Sequence, residues 1–225
     1  MPYSAILIDL DGTLLDTIPD LAAAANAMLA EMAAPQLPVG DITTFVGKGT
    51  AHLVWRCLSD ARVGLPADDA ATAAALDIFN RHYHEVNGRE SRLYPGVLEG
   101  LKAFRAQGAK LALVTNKPTE FTLPLLKRSG LAPWFDAVVC GDTCARKKPD
   151  PMPLLHACEL LGCAPGEALA IGDSINDALA ARAAGITVVA VPYGYNEGRD
   201  IHSLDIDGIV FGIEDACKWA FKPAQ

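Results

Sequence analysis

From Tyr94 to Val191 the chain alternates helix-patterned stretches with short apolar runs, and that alternation admits very few folds. The apolar runs are Lys110–Val114, Ala137–Val139, Ala168–Ile171 and Ile186–Val191. The helical stretches Val97–Gln107, Thr119–Ser129, Pro153–Leu161 and Ile175–Ala184 lead into them in turn. Short, continuous apolar runs are the mark of strands buried on both faces. Strand–helix–strand connections are right-handed crossovers, so the expected core is a doubly wound, Rossmann-like parallel sheet with helices on both sides, an α/β fold. Ser4–Asp9 is a run of the same kind and belongs in the same sheet.

Between that first strand and the rest lie residues 17–90, which carry no strand pattern. Pro19 and Asp20 suit a helix start, and Leu21, Met28, Leu29 and Met32 recur at helical spacing. Pro35, Pro38 and Gly40 break the pattern. Thr50 is placed to cap a second helix carrying Leu53, Val54, Cys57 and Leu58, and Asp68–Asp69 open a third with a Leu76, Phe79, Tyr83 stripe. The chain has 225 residues, more than the ~150 of an ordinary domain. Two units account for that length: an α/β core of residues 1–16 and 91–225, and a helical insert of residues 17–90. The loop Pro192–Asp207 is long for a compact domain, which suggests a role beyond connection.

Composition removes several classes of function. A net charge of −8 argues against nucleic acid and against an anionic membrane surface as partners. The N-terminus lacks the basic and apolar regions of a signal peptide, and no window is apolar enough to span a bilayer. Six cysteines without a CxxC spacing read as reduced, mostly buried thiols in a cytoplasmic protein. His82 and His84 fall on different sides of their helix and do not approach zinc spacing.

Ligands of an open parallel sheet bind beyond the carboxyl ends of its strands. The first strand ends in Asp9-Leu-Asp11-Gly12-Thr13 and the next in Thr115-Asn116-Lys117-Pro118. Gly141-Asp142 follows the third, with Lys147-Lys148-Pro149 beyond it, and the fourth ends in Gly172-Asp173-Ser174-Ile-Asn176-Asp177. Turns and helix caps favour such residues everywhere, so one cluster carries little weight. Four clusters on one sheet edge carry much more, and two carboxylates pushed together at Asp9 and Asp11 call for a cation or for distinct protonation states. Carboxylates at Asp9 and Asp173 with a nearby carbonyl make a hard oxygen site suited to Mg²⁺ rather than zinc. An Asp carboxylate can attack phosphorus to form an aspartyl-phosphate, and Asp11 is placed to protonate a leaving alkoxide and later to deprotonate water. Mg²⁺, Lys148 and the Thr115 hydroxyl could neutralise the phosphoryl oxygens.

The four segments DLDGTLLD, VTN, KKP and GDSIND resemble, in order and position, the motifs of the haloacid dehalogenase superfamily. Leu93–Val97, Leu113–Pro118, Lys147–Pro151 and Tyr193–Asn196 extend the resemblance to bacterial phosphoglycolate phosphatases across the whole chain. The resemblance implies that Asp9 is the nucleophile and Asp11 the general acid/base. It implies Mg²⁺ held by Asp9, the Asp11 carbonyl and Asp173, with Asp177 in support. Thr115, Asn116 and Lys148 would surround the phosphoryl group, Lys148 fitting the motif better than Lys147. Gly12 would permit the turn that aims Asp11 inward. The helical insert would be a mobile cap that excludes water. An acid at position 11 points to phosphate esters, and the first expected substrate is 2-phosphoglycolate, a small phosphorylated metabolite. Its carboxylate would need a cation from the cap. Lys48, between Gly47 and Gly49, is the expected contact, with Arg56 as second choice and the Tyr193–Asn196 loop lining the pocket. A phosphomutase of the β-phosphoglucomutase kind, or another small-metabolite phosphatase, is the competing enzyme reading. A receiver-like phospho-aspartate signalling module is the reading outside enzymes.

Overall fold

In the computed structural model, which describes residues 3–222, β1 (Ala5–Ile8) lies inside a parallel sheet and hands the chain directly to the helical insert. A two-residue strand β2 (Leu15–Asp16) precedes α1 (Ile18–Glu31), α2 (Val39–Thr43), α3 (Thr50–Leu58) and α4 (Asp69–Val86). The chain returns through β3 (Arg92–Leu93), then runs α5 (Val97–Ala106), β4 (Lys110–Val114), α6 (Thr119–Arg128), β5 (Ala137–Val139), α7 (Met152–Leu161), β6 (Ala168–Gly172), α8 (Ile175–Ala184) and β7 (Thr187–Ala190). β8 (Gly208–Ile209) and α9 (Ile213–Ala220) complete it. The sheet order is β5-β4-β1-β6-β7-β8, all parallel, so the fold class expected from the apolar runs is the one observed.

Alternation along the strands divides the sheet's two faces. Ile6, Ile8, Leu111, Leu113, Leu169 and Ile171 pack beneath α5, α6 and α9, whose Leu101, Phe104, Leu125, Ile213 and Ala216 fill that layer. Ala5, Leu7, Ala112, Val114, Ala168 and Ala170 face α7 and α8. Small residues on this second face, met by Ala157, Ala180 and Ala181 from the helices, allow backbones to approach closely. β1 sits between β4 and β6, where the direction of winding reverses, and its carboxyl end opens on the crevice of the sheet.

The helices of residues 17–90 have their own core of Leu21, Met28, Leu29, Ile42, Leu53, Val54, Phe79 and Tyr83, which Phe121 and Tyr195 of the sheet domain join. Asp68 caps α4 by accepting from Ala71 N at 2.8 Å. Thr50 does not cap α3; it is the first helical residue, and Gly49 occupies the cap position without a side-chain bond. The passages into and out of these helices are pinned to each other. Leu15 and Asp16 pair antiparallel with Leu93 and Arg92. The buried carboxylate of Asp20 accepts from the amides of Gly88, Glu90 and Ser91, each at 2.9 Å, and from the Ser91 hydroxyl at 2.5 Å. No helix among the described residues is long and apolar enough to cross a membrane, and all six cysteines are free thiols.

Candidate active site

Asp9 is the first residue beyond β1, and its amide still donates to Ile171 O of the neighbouring strand at 3.0 Å. That bond fixes the carboxylate at the mouth of the β1/β6 crevice. Asp173 follows β6 and Asp177 lies one helical turn further, in α8. The three buried residues Asp9, Asp173 and Asp177 offer carboxylate oxygens that all lie within 4.8 Å of one another. Ser174 shapes this corner, with its hydroxyl donating to Asp177 Oδ2 at 2.7 Å in a capping box. Thr13 Oγ1 donates to Asp173 Oδ1 at 3.2 Å, and the Tyr195 amide donates to Asp173 Oδ2. Gly12 adopts φ +85°, a left-handed conformation, and a β-carbon there would run into the Asp173 carboxylate.

Lys148 is the cation of this cluster. It is 4% exposed and donates to Asp9 Oδ1 at 2.7 Å, Asp177 Oδ1 at 2.6 Å and Val114 O at 2.7 Å. One ammonium therefore faces three carboxylates. Burial pushes the Asp9 carboxyl up to about 7, Lys148 opposes that, and the Asp177 and Asp11 charges add to it. Asp173 is raised well above the usual carboxylate range, by burial first and then by its two acidic neighbours. Burial alone would lower Lys148, but the Asp177 and Asp9 carboxylates outweigh it and the net shift is upward. A buried set of oxygen donors with surplus negative charge, and no Cys or His among them, fits a hard divalent cation.

Asp11 points elsewhere. Its carboxylate accepts from Thr17 Oγ1 at 2.7 Å and from Lys117 Nζ at 3.0 Å and 3.3 Å. Lys117, 2% exposed, carries no sequence signal for this role, since a lysine in a strand-to-helix turn ordinarily reads as solvated. Asn116 sits beside the cavity, but both its amide protons are used, on Gly47 O at 2.9 Å and Lys148 O at 2.8 Å. It ties the helical unit to the lysine-bearing loop. Asn176 Nδ2 reaches the same Gly47 carbonyl at 3.5 Å. Thr115 lines the cavity with Asp9, Asp11, Lys117, Lys148 and Asp173.

Lys48 is not brought to this cavity. Its ammonium pairs with Glu197 at 2.7 Å and is 38% exposed, while the flanking Gly47 and Gly49 line the site. Arg56 lies over the Phe45 ring, 4.5 Å from its centroid, and also stays away. The Tyr193–Asn196 loop does contribute, through Tyr195. Its hydroxyl donates to Asp16 Oδ1 at 2.5 Å and accepts from Thr17 N at 2.8 Å, so one residue touches both Asp173 and the passage into α1. Space in the cavity amounts to about 30 Å³. That is room for roughly two waters.

The family model for haloacid dehalogenase-like hydrolases matches residues 3–185. A phosphoglycolate phosphatase of Nitrosospira multiformis is 52% identical over 218 residues, covering 97% of this chain and 96% of that protein. One of Thiobacillus denitrificans is 49% identical over 222 residues, 99% of this chain and 97% of its own length. Among solved structures, a predicted phosphoglycolate phosphatase from Haemophilus somnus superposes with a TM-score of 0.92 at 35% identity, covering 97% of this chain and 98% of that one.

Proposed function

The chain belongs to the haloacid dehalogenase-like hydrolases, and from that premise we propose that it is a phosphatase that hydrolyses 2-phosphoglycolate to glycolate and phosphate through an aspartyl-phosphate. One observation supports this reading above the others. Two carboxylates only two residues apart keep different company, Asp9 with Lys148, Asp173 and Asp177, and Asp11 with Lys117 and Thr17. Such a division suits a nucleophile and a separate acid/base.

In the proposed reaction an Asp9 oxygen attacks phosphorus, and the bond from phosphorus to the leaving alkoxide breaks. Asp11 gives its proton to that alkoxide and later takes one from the water that attacks the phospho-aspartate. Inorganic phosphate leaves and Asp9 is regenerated. Lys148 and the Thr115 hydroxyl would balance charge on the phosphoryl oxygens, and Gly12 leaves Asp173 its place. Hydrolases of this family are typically Mg²⁺-dependent, and Asp9, Asp173 and the Asp11 carbonyl, with Asp177 in support, would hold the ion. When bound, Mg²⁺ supplies Lewis-acid neutralisation of the transferring phosphoryl group. Residues 17–90 would act as a cap. To admit substrate they would withdraw, flexing at the passages near Asp16–Ile18 and Gly88–Ser91. Six free thiols and an acidic surface suit a cytoplasmic enzyme that meets a small metabolite and neither nucleic acid nor membrane.

Phosphate release from 2-phosphoglycolate in the presence of Mg²⁺ tests the function directly. EDTA is expected to stop it and excess Mg²⁺ to restore it, while Mg²⁺ alone raises the melting temperature by relieving repulsion among the three carboxylates. Undiminished turnover in EDTA would remove the metal from the scheme. Lys48→Ala is expected to change KM only about two- to threefold, and equally for esters with and without a carboxylate, because an exposed pair with Glu197 contributes little. Selective loss of phosphoglycolate turnover would put Lys48 back beside the substrate.

A further inference from the structure

A substrate with an anionic group next to its phosphate ester needs a second cation, and the cavity has two lysines to offer. Lys148 has no donor left. An ammonium carries three N–H groups, and those of Lys148 go to Asp9, Asp177 and Val114 O. Lys117 is different. Among the described residues its one well-aligned hydrogen-bond acceptor is the Asp11 carboxylate, so donor capacity remains on a buried charge that lines the cavity.

The second observation comes from the helical unit. Tyr83 of α4 is fully buried, and its ring is held by Phe79 and Phe121 with centroids 5.4 Å and 4.7 Å away. Lys117 Nζ lies 4.9 Å from the Tyr83 centroid. The Tyr83 hydroxyl lies against Lys117 and makes no well-aligned hydrogen bond among the described residues. A buried hydroxyl left unpaired is costly, and natural structures keep few of them without a reason. Asp11 supplies the proton to the leaving oxygen, so the carbon chain beyond that oxygen must lie close to Asp11 and thus to Lys117.

We propose that Lys117 and Tyr83 form the subsite that reads a carboxylate carried next to the scissile phosphate, Lys117 from the sheet domain and Tyr83 from the helical unit. The inference rests on the phosphoglycolate reading and deepens it. Because the two residues come from different units, the carboxylate would bridge them when the cap closes. Substrates lacking it would leave the Tyr83 hydroxyl unpaired and the closure unrewarded.

The test compares 2-phosphoglycolate with ethyl phosphate, which replaces the carboxylate by a methyl group, in the wild type, Lys117→Met and Tyr83→Phe. The quantity read is the ratio of kcat/KM for the two esters. It is expected to fall about tenfold in Tyr83→Phe, carried by KM, and about a hundredfold in Lys117→Met. Loss of Lys117 also loosens Asp11, so both esters slow in that variant and only the ratio is diagnostic. A ratio unchanged in both variants, in an enzyme that prefers phosphoglycolate, overturns the subsite and leaves the substrate reading standing. A wild type without that preference overturns both. Should Lys117→Met fail to fold, Tyr83→Phe, which removes a single oxygen, decides alone.

Discussion

Asp9→Asn is expected to yield a folded protein whose phosphatase activity is down by about four orders of magnitude or more, the scale on which enzymes lose their nucleophile. The amide keeps the shape of the carboxylate but cannot form the acyl phosphate. The informative part is stability. Burial drives the Asp9 carboxyl up to about 7, so the folded state holds a proton there that the unfolded chain releases near its ordinary value. A raised acid contributes stability below its unfolded pKa and loses it as pH rises through the folded one. The metal-free wild type should therefore weaken between about pH 4 and pH 7 from this group, and Asp9→Asn should be spared that loss. Lys148 retains Asp177 and Val114 O in the variant, so it is not stranded. Melting temperatures in EDTA at pH 5.5 and pH 8 check the point. A variant less stable than wild type at pH 8, or one with appreciable turnover, would remove Asp9 from its assigned role.

Much of this site could be read from residues because the chemistry sits at strand ends, and strands buried on both faces announce themselves as apolar runs. Asp9, Asp11, Thr115 and Asp173 follow from finding where those runs stop, whereas Lys148, well beyond β5, comes from the KKP motif. Elements that depend on pairing rather than pattern were not legible. β2 and β3 have two residues each, too few to establish a period, and exist because Leu15 and Asp16 meet Leu93 and Arg92 across the base of the insert. β8 and α9 left no comparable mark at the edge of the sheet.

The misplaced residue is instructive as well. The glycines on either side of Lys48 line the candidate site. What approaches is the backbone: Gly47 O accepts from Asn116, and the lysine between the glycines turns outward to Glu197. Tyr83 was hidden for the opposite reason. At helical spacing behind Phe79 it reads as core, and its ring is core; only the far end of the side chain, against Lys117, is not. A sequence pattern assigns a residue to a face, whereas a site is made by the atoms at its tip.

Lys148→Met carries the opposite sign from Asp9→Asn on stability and a comparable one on activity. Methionine keeps the stem but removes the ammonium that Asp9 and Asp177 share, leaving the buried acids with Asp173 and no cation. Breaking a buried pair by removing one partner costs about 3–5 kcal/mol, which for a chain of this size is a melting temperature lower by roughly 10 °C. The deficit should be largest at pH 8 and shrink towards pH 5. Asp9 and Asp173, raised by burial, then take up protons. Mg²⁺ should recover much of the lost stability, since a divalent cation among the carboxylates relieves the same repulsion. It should not recover activity, expected to fall about a thousandfold, because the phosphoryl oxygens still lack the positive charge that Lys148 offers. Differential scanning calorimetry of the two variants with EDTA and with Mg²⁺ separates these effects. If Lys148→Met melts with the wild type in EDTA at pH 8, the lysine is not what holds the acidic cluster together, and the charge balance argued for this site fails.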